Sequence, residues 1–242
     1  MTNPPTLSVV VLAYNEIDTL ERTCQEILET VEQIGVDAEV LVVDDGSTDG
    51  TGVLADKLAE ADARIRVIHH QPNLGLGGVY RTGFTEARGL YVTFFPADGQ
   101  FPASIIGEFL PQMTDHDMVL GYLPRRESSL VAKGLSLAER ALYRVVLGRM
   151  PRFQGILMFR RSLLLRHSLQ SQGRGWAVLL EFIIRCSRDE CRIVNVATDV
   201  RARTHGRSKV NNLRTIWSNL LQVLALRKNL DRSADTVVSE PS

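Results

Sequence analysis

Short unbroken apolar blocks alternate along the first half of the chain with stretches of helical periodicity, the signature of strands buried on both faces of a parallel sheet and the helices that cross between them. Residues 7–13, Leu-Ser-Val-Val-Val-Leu-Ala, read as a first strand, and Leu20, Cys24, Ile27, Leu28 and Val31 fall at helical spacing after it. Val40 to Val43 form the next block, inside the stretch Glu39–Thr51 that ends abruptly in carboxylates and turn formers. A helix is predicted over roughly residues 50–61, a third strand at Ile65–His69, and another helix opening at Asn73-Leu-Gly-Leu-Gly-Gly78. Leu90–Phe95 read as a fourth strand, Pro102 as a helix start and Asp117–Leu120 as a fifth strand.

After Gly121 the pattern changes. Residues 128–148 carry Leu130, Leu137, Leu142, Val145 and Val146 at helical periodicity, with Lys133, Arg140 and Arg144 among them and Arg149 just beyond. That describes either an amphipathic helix on a membrane surface or a solvated basic face. Phe153–Phe159 read as a strand, Trp176–Cys186 as a helix with Glu181 among apolar neighbours, and Arg192–Val200 as a last strand. A carboxylate placed like Glu181 is either functional or paired. Leu213, Ile216, Trp217, Leu220, Leu221 and Leu224 repeat at helical spacing, so a helix from about Asn212 to Lys228 either packs on the core or enters a headgroup region. From Asp231 the tail is polar and is expected to be disordered. The resulting expectation is an α/β fold: a mostly parallel central sheet with helices on both faces and C-terminal amphipathic helices. Residues 1–230 would be one domain, divided into halves at 7–121 and 122–230.

Composition leaves that outline intact and adds one feature. The 242 residues carry 28 Lys/Arg and 28 Asp/Glu, but residues 1–121 hold 6 of the former and 19 of the latter. The two halves therefore differ strongly in charge, acidic first and basic second. A basic half could face nucleic acid, anionic lipid or a phosphorylated substrate, or simply the acidic half. Cys24, Cys186 and Cys191 show no metal or redox spacing, and an odd count argues against a disulfide framework. No signal peptide and no transmembrane stretch are expected.

The acids matter by position. Asn15 and Glu16, Asp44 and Asp45, and Asp98 each follow a predicted parallel strand, which places all three groups on one edge of the sheet, where such sheets bind ligands. Asp44 and Asp45 are expected to point into that crevice, while Ser47, Thr48 and Asp49 are available to cap the next helix. A calcium loop beginning at Asp45 is rejected, because it would have to follow a helix. Gly75, Gly77 and Gly78 permit close approach to a phosphate, yet they lack the dinucleotide spacing, so no nicotinamide cofactor is expected.

Taken together, Ala13-Tyr-Asn-Glu16, Val43-Asp-Asp-Gly-Ser-Thr-Asp-Gly-Thr51, Asn73-Leu-Gly-Leu-Gly, Tyr80-Arg-Thr-Gly-Phe84, Ala97-Asp-Gly-Gln100 and Arg203-Thr-His-Gly-Arg-Ser-Lys209 resemble glycosyltransferase family 2. The resemblance is strongest to its polyprenyl-phosphate branch of dolichyl-phosphate mannose and glucose synthases. It implies a GT-A fold and inverting transfer of a hexose from a GDP- or UDP-sugar to a dolichyl- or undecaprenyl-type phosphate. By the same resemblance Ala13, Asn15, Glu16, Asp44 and Asp45 would surround the nucleoside, and Asp98 with Gln100 would lie at the diphosphate and its Mg or Mn ion. Tyr14, Gly75, Arg81 and Glu181 are expected as further substrate contacts. The family usually has an acidic residue two positions before Asp98, where this chain has Pro96. Either the ion is held by Asp98, Gln100 and phosphate oxygens alone, or the chemistry leans on Arg and Lys.

Arg203, His205, Ser208 and Lys209 lie within seven residues and offer donors to one anion. An ionised acceptor phosphate attacks unaided, so Arg203 and Lys209 join Asp98 as expected catalytic residues. A cytoplasmic protein peripheral to the membrane follows, meeting an anionic surface or a membrane partner and no nucleic acid. Two other readings stand beside it: transfer to a saccharide or protein hydroxyl, which would need a general base, and a nucleotide-sugar-binding protein without turnover.

Overall fold

The computed structural model describes residues 4–124 and 151–201. The segment 128–148, the helix 212–228, the tail, and Arg203, His205, Ser208 and Lys209 lie outside the described residues.

Among the described residues seven strands form one sheet: β1 (Leu7–Ala13), β2 (Ala38–Asp44), β3 (Ile65–His69), β4 (Tyr91–Pro96), β5 (Met118–Tyr122), β6 (Leu157–Arg160) and β7 (Ile193–Ala197). Their order is β3-β2-β1-β4-β6-β5-β7. β6 pairs antiparallel with β4 and β5, and every other pairing is parallel. The expected mostly parallel sheet is present, and its first four blocks fall within a residue or two of the predicted strands, because a strand buried on both faces has to be apolar throughout. All seven residues of β2 are buried. The predicted strand at 153–159 is shorter and shifted to 157–160, since Gly155 takes a left-handed φ of 100° just before it.

Among the described residues six α-helices flank the sheet: α1 (Leu20–Gln33), α2 (Thr51–Ala61), α3 (Gly75–Glu86), α4 (Ile105–Phe109), α5 (Ser162–Arg166) and α6 (Ala177–Arg188). One core layer joins Cys24, Ile27 and Val31 of α1 and Ala55 of α2 to Val9, Val11, Val40 and Val42. The opposite layer joins Val79 and Tyr80 of α3 and Phe182 of α6 to Val10, Leu41, Phe94 and Phe159. Aromatic rings interlock in the second layer, with Phe159 and Phe182 centroids 4.7 Å apart and Tyr80 and Phe94 4.8 Å apart, both edge to face.

The strand order places the site. β2 and β3 lie on one side of β1 and β4 on the other, so the chain reverses its winding between β1 and β4. A crevice opens beyond the carboxyl ends of strands at such a point. In register, Ala13 pairs with Asp44, Asp44 with His69, and Leu12 with Pro96. The three acidic strand ends do share one edge.

Candidate active site

Backbone hydrogen bonds fasten the strand ends together beyond the sheet. Asp45 N–H donates to Ala13 O, Ala97 N–H to Leu12 O and His70 N–H to Asp44 O, each at 2.9 Å. The loops after β1 and β2 are then laced by side chains. Asn15 N–H donates to Ser47 Oγ at 2.9 Å, Thr48 N–H to Asn15 Oδ1 at 2.8 Å, and Glu16 N–H to Thr51 Oγ1 at 2.9 Å. Asn15 adopts a left-handed φ of 52°, a conformation asparagine tolerates better than most residues. The N-cap of α2 is Gly50, with no side-chain cap hydrogen bond, rather than the expected Ser47, Thr48 or Asp49; Asp49 instead accepts from Thr51 N–H at 3.0 Å and Thr51 Oγ1 at 2.6 Å.

Asp44 and Asp45 do not line an open crevice as expected: they are 4% and 3% exposed. Buried carboxylates need donors, and the neighbouring loop supplies them. Asp45 accepts from Leu74 N–H and Gly75 N–H, both at 2.8 Å, and from His70 Nδ1 at 2.7 Å. Asp44 accepts from Ser47 N–H at 3.1 Å and His69 Nδ1 at 2.9 Å. Both acids thus shape the wall of the crevice from behind. Toward solvent the same edge presents Tyr14, exposed, and Asn15, Glu16, Asp98 and Gln100, half-buried.

The glycines after β3 meet protein rather than the space expected for a phosphate. Gly75 holds φ 73°, and a Cβ there would stand 2.7 Å from Arg174 O; one on Gly77 would stand 2.0 Å from Gly173 O. Gly77 N–H donates to Arg174 O at 2.9 Å. The start of α3 is therefore pressed against the loop at residues 171–175. Arg81 serves the same junction, donating through Nη1 to Gly173 O at 3.1 Å and Ser171 O at 3.4 Å. Burial pushes its pKa down from the usual arginine value.

Glu181 takes the second of its two alternatives and is paired. It is 0% exposed and accepts from Gln170 N–H, Ser171 N–H, and Arg185 Nε and Nη2, at 2.7–3.1 Å. Asp98 stands at the reversal point of the sheet, its Oδ1 accepting from Gln100 N–H at 3.1 Å. Arg201 N–H donates to Gln100 O at 2.8 Å, and its guanidinium pairs with Glu26 at 2.7 Å. Arg201 is thereby held beside the loop that carries Asp98.

His69 and His70 were missed as site residues, although two histidines at the carboxyl end of a third parallel strand are a readable signal. Hydrogen bonds donated to the Asp44 and then the Asp56 carboxylate raise the His69 pKa above its ordinary 6.5. Its protonated form bridges β2 to α2, so that contribution to stability is complete below the unfolded value and is lost as pH rises through the raised folded value. Thermal unfolding of the parent and His69→Gln over a pH series should show the parent's advantage shrinking with rising pH. An advantage that grows with pH would show the bridge to be immaterial.

Residues 8–185 match Glycosyl transferase family 2. The chain belongs to that family. It is 30% identical over 213 residues to the undecaprenyl-phosphate mannosyltransferase of Micrococcus luteus, covering 84% of this chain and 86% of that one. It is 28% identical over 248 residues to the polyprenol monophosphomannose synthase of Mycolicibacterium smegmatis, covering 95% and 90%. Longer relatives match as well: the chain spans 15% of the glycosyltransferase AglD of Haloferax volcanii and 52% of the putative glycosyltransferase EpsH of Bacillus subtilis. Among solved structures, mannosyl-3-phosphoglycerate synthase from Rubrobacter xylanophilus superposes with a TM-score of 0.68 at 19% identity, over 98% of this chain and 77% of that one. The Mycobacterium tuberculosis glucosyl-3-phosphoglycerate synthase in complex with Mn2+, UDP and phosphoglyceric acid gives 0.65 at 21%, over 90% and 78%. These likenesses establish the GT-A fold for this chain.

Proposed function

We propose that this family 2 chain transfers a hexose from a GDP- or UDP-sugar to a polyprenyl phosphate at the cytoplasmic face of a membrane. The observation that carries the proposal is the bond from Arg201 N–H to Gln100 O, 2.8 Å long. It ties Arg201, the first residue of the basic stretch, to the loop that carries Asp98. The names of the two relatives matched over most of their length support a polyprenyl-phosphate acceptor and mannose as the sugar. No helix among the described residues is long and apolar enough to cross a membrane, so the lipid would be met at a surface or through a membrane partner.

Asp98 and Gln100 fit a divalent cation such as Mg or Mn. They bring oxygen donors, which hard cations prefer, and are few enough that phosphate oxygens and water would complete the shell. Bound there, the ion would neutralise charge on the departing diphosphate. The chain's own part would be to fix the nucleotide along Ala13–Glu16 and the diphosphate at Asp98. The acceptor phosphate would be held with Arg203, His205, Ser208 and Lys209 while it attacks the anomeric carbon.

Radiolabelled nucleotide sugars incubated with the protein and a membrane lipid extract test this directly. Label in the organic phase supports it. Label in a saccharide, in phosphoglycerate or in protein would transfer the assignment to a hydroxyl acceptor, and binding without transfer would remove the enzyme reading. On the same proposal, Arg203→Ala and Lys209→Ala should each lower lipid glycosylation by roughly tenfold or more, as loss of a charged contact to phosphate does, while the nucleotide-sugar Kd changes little. Intact lipid glycosylation in both variants would dissociate this stretch from the acceptor.

A further inference from the structure

Along the sequence the cysteines have no metal-binding spacing, but the fold gives two of them a third partner. One nitrogen of His167 and the sulfurs of Cys186 and Cys191 all lie within 4.8 Å of one another. The turn that closes α6 brings the thiols together: Glu190 takes a left-handed φ of 55°, and Cys191 N–H returns to Cys186 O at 3.2 Å, the six-to-one bond that commonly ends a helix. His167 follows α5 and is buried beside them, its ring 6.3 Å from that of Phe182.

The imidazole is under-partnered. Among the described residues Nε2 is a buried polar atom without a hydrogen-bond partner, and Nδ1 has only the Asp189 carboxylate, at 3.4 Å. Native structures rarely leave such an atom unpaired without a reason.

Two thiols and an imidazole make a ligand set that selects zinc-class ions over the oxygen-seeking Mg and Mn. Bond lengths of about 2.3 Å to sulfur and 2.0 Å to nitrogen put tetrahedral ligands about 3.5–3.8 Å apart, so side-chain rotation closing about 1 Å would complete the site. Asp189 stands where a carboxylate commonly orients a ligating histidine, and water would take the fourth position. The cluster is remote from the donor crevice. Cys191 immediately precedes Arg192, whose backbone N–H and C=O bond to Asp117 at the start of β5, the edge opposite Asp98.

We propose that His167, Cys186 and Cys191 form a structural site for a zinc-class ion, which binds with release of the thiol protons and fastens the end of α6 to the segment after α5. Co2+ is the probe, because thiolate ligands give an intense charge-transfer absorption that oxygen ligands at Asp98 do not. Titrating the reduced full-length protein should give that band, saturating at one ion per chain and displaced by Zn2+. The band should persist in Asp98→Asn and weaken markedly in Cys191→Ser. Zn2+ should raise the thermal midpoint of the parent but not of Cys191→Ser. Cys186 is fully buried, so the half-buried Cys191 carries the test if Cys186→Ser does not fold. Absence of the band in folded, reduced protein, an undiminished band in Cys191→Ser, or a Cys186–Cys191 disulfide in the purified chain with no ion bound after reduction would each overturn the site.

Discussion

Asp98→Asn is expected to lower sugar transfer by roughly a hundredfold or more while leaving the thermal midpoint within a degree or two of the parent. The first half of that expectation comes from position. Asp98 is the acid at the reversal point of the sheet, half-buried, in a loop held by Ala97 N–H to Leu12 O and by Thr23 Oγ1 to Ala97 O. Removing one preorganised charge from a group-transfer site typically costs that much in turnover. The second half comes from the local bonds: Asn keeps an oxygen that can accept from Gln100 N–H, as Asp98 Oδ1 does now. Steady-state rates beside a melting curve make the check, and near-parent turnover would remove Asp98 from the mechanism. Pro96→Asp introduces the acid that the family resemblance implies at that position and should sharpen the manganese or magnesium dependence. An unchanged titration would count against an ion at Asp98.

Much of this architecture was legible because burial on both sheet faces leaves little choice of residue. Val40–Val43 could hardly be anything but a central strand, and the acids and turn formers after it mark the edge where the sheet ends. The sequence pattern locates a side chain along the chain and not in depth, and that is where the readings of the site parted from the structure. Asp44 and Asp45 lie at the right edge but are turned into protein, because His69, His70 and the amides of Leu74 and Gly75 supply donors that periodicity cannot register. Gly77 is a glycine for closeness, as expected, yet the close neighbour is Gly173 O, nearly a hundred residues away. The same long-range logic hid the meeting of His167 with Cys186 and Cys191, which no spacing rule describes.

Glu181→Gln separates a structural acid from a general base, and it should destabilise the fold without abolishing chemistry. Glu181 sits on α6 with no exposure, and its two oxygens gather five donor contacts from Gln170, Ser171 and Arg185. Gln keeps the volume but replaces one acceptor by a donor, and it removes the negative charge that Arg185, 13% exposed, now meets at 2.7 Å. Breaking a buried pair from one side costs roughly 3–5 kcal/mol, which lowers the midpoint of a protein this size by something on the order of 10 °C. The damage should spread along a definite route. Ser171 holds Arg81, and the backbone at residues 173–175 receives the start of α3, so hydrogen exchange should rise first at Gly75–Tyr80 and residues 170–175. Assayed well below its midpoint, the variant should still transfer sugar, since an ionised acceptor phosphate needs no base. Abolished transfer in folded Glu181→Gln, with Arg203→Ala unimpaired, would instead make the acceptor a hydroxyl and Glu181 the group that deprotonates it.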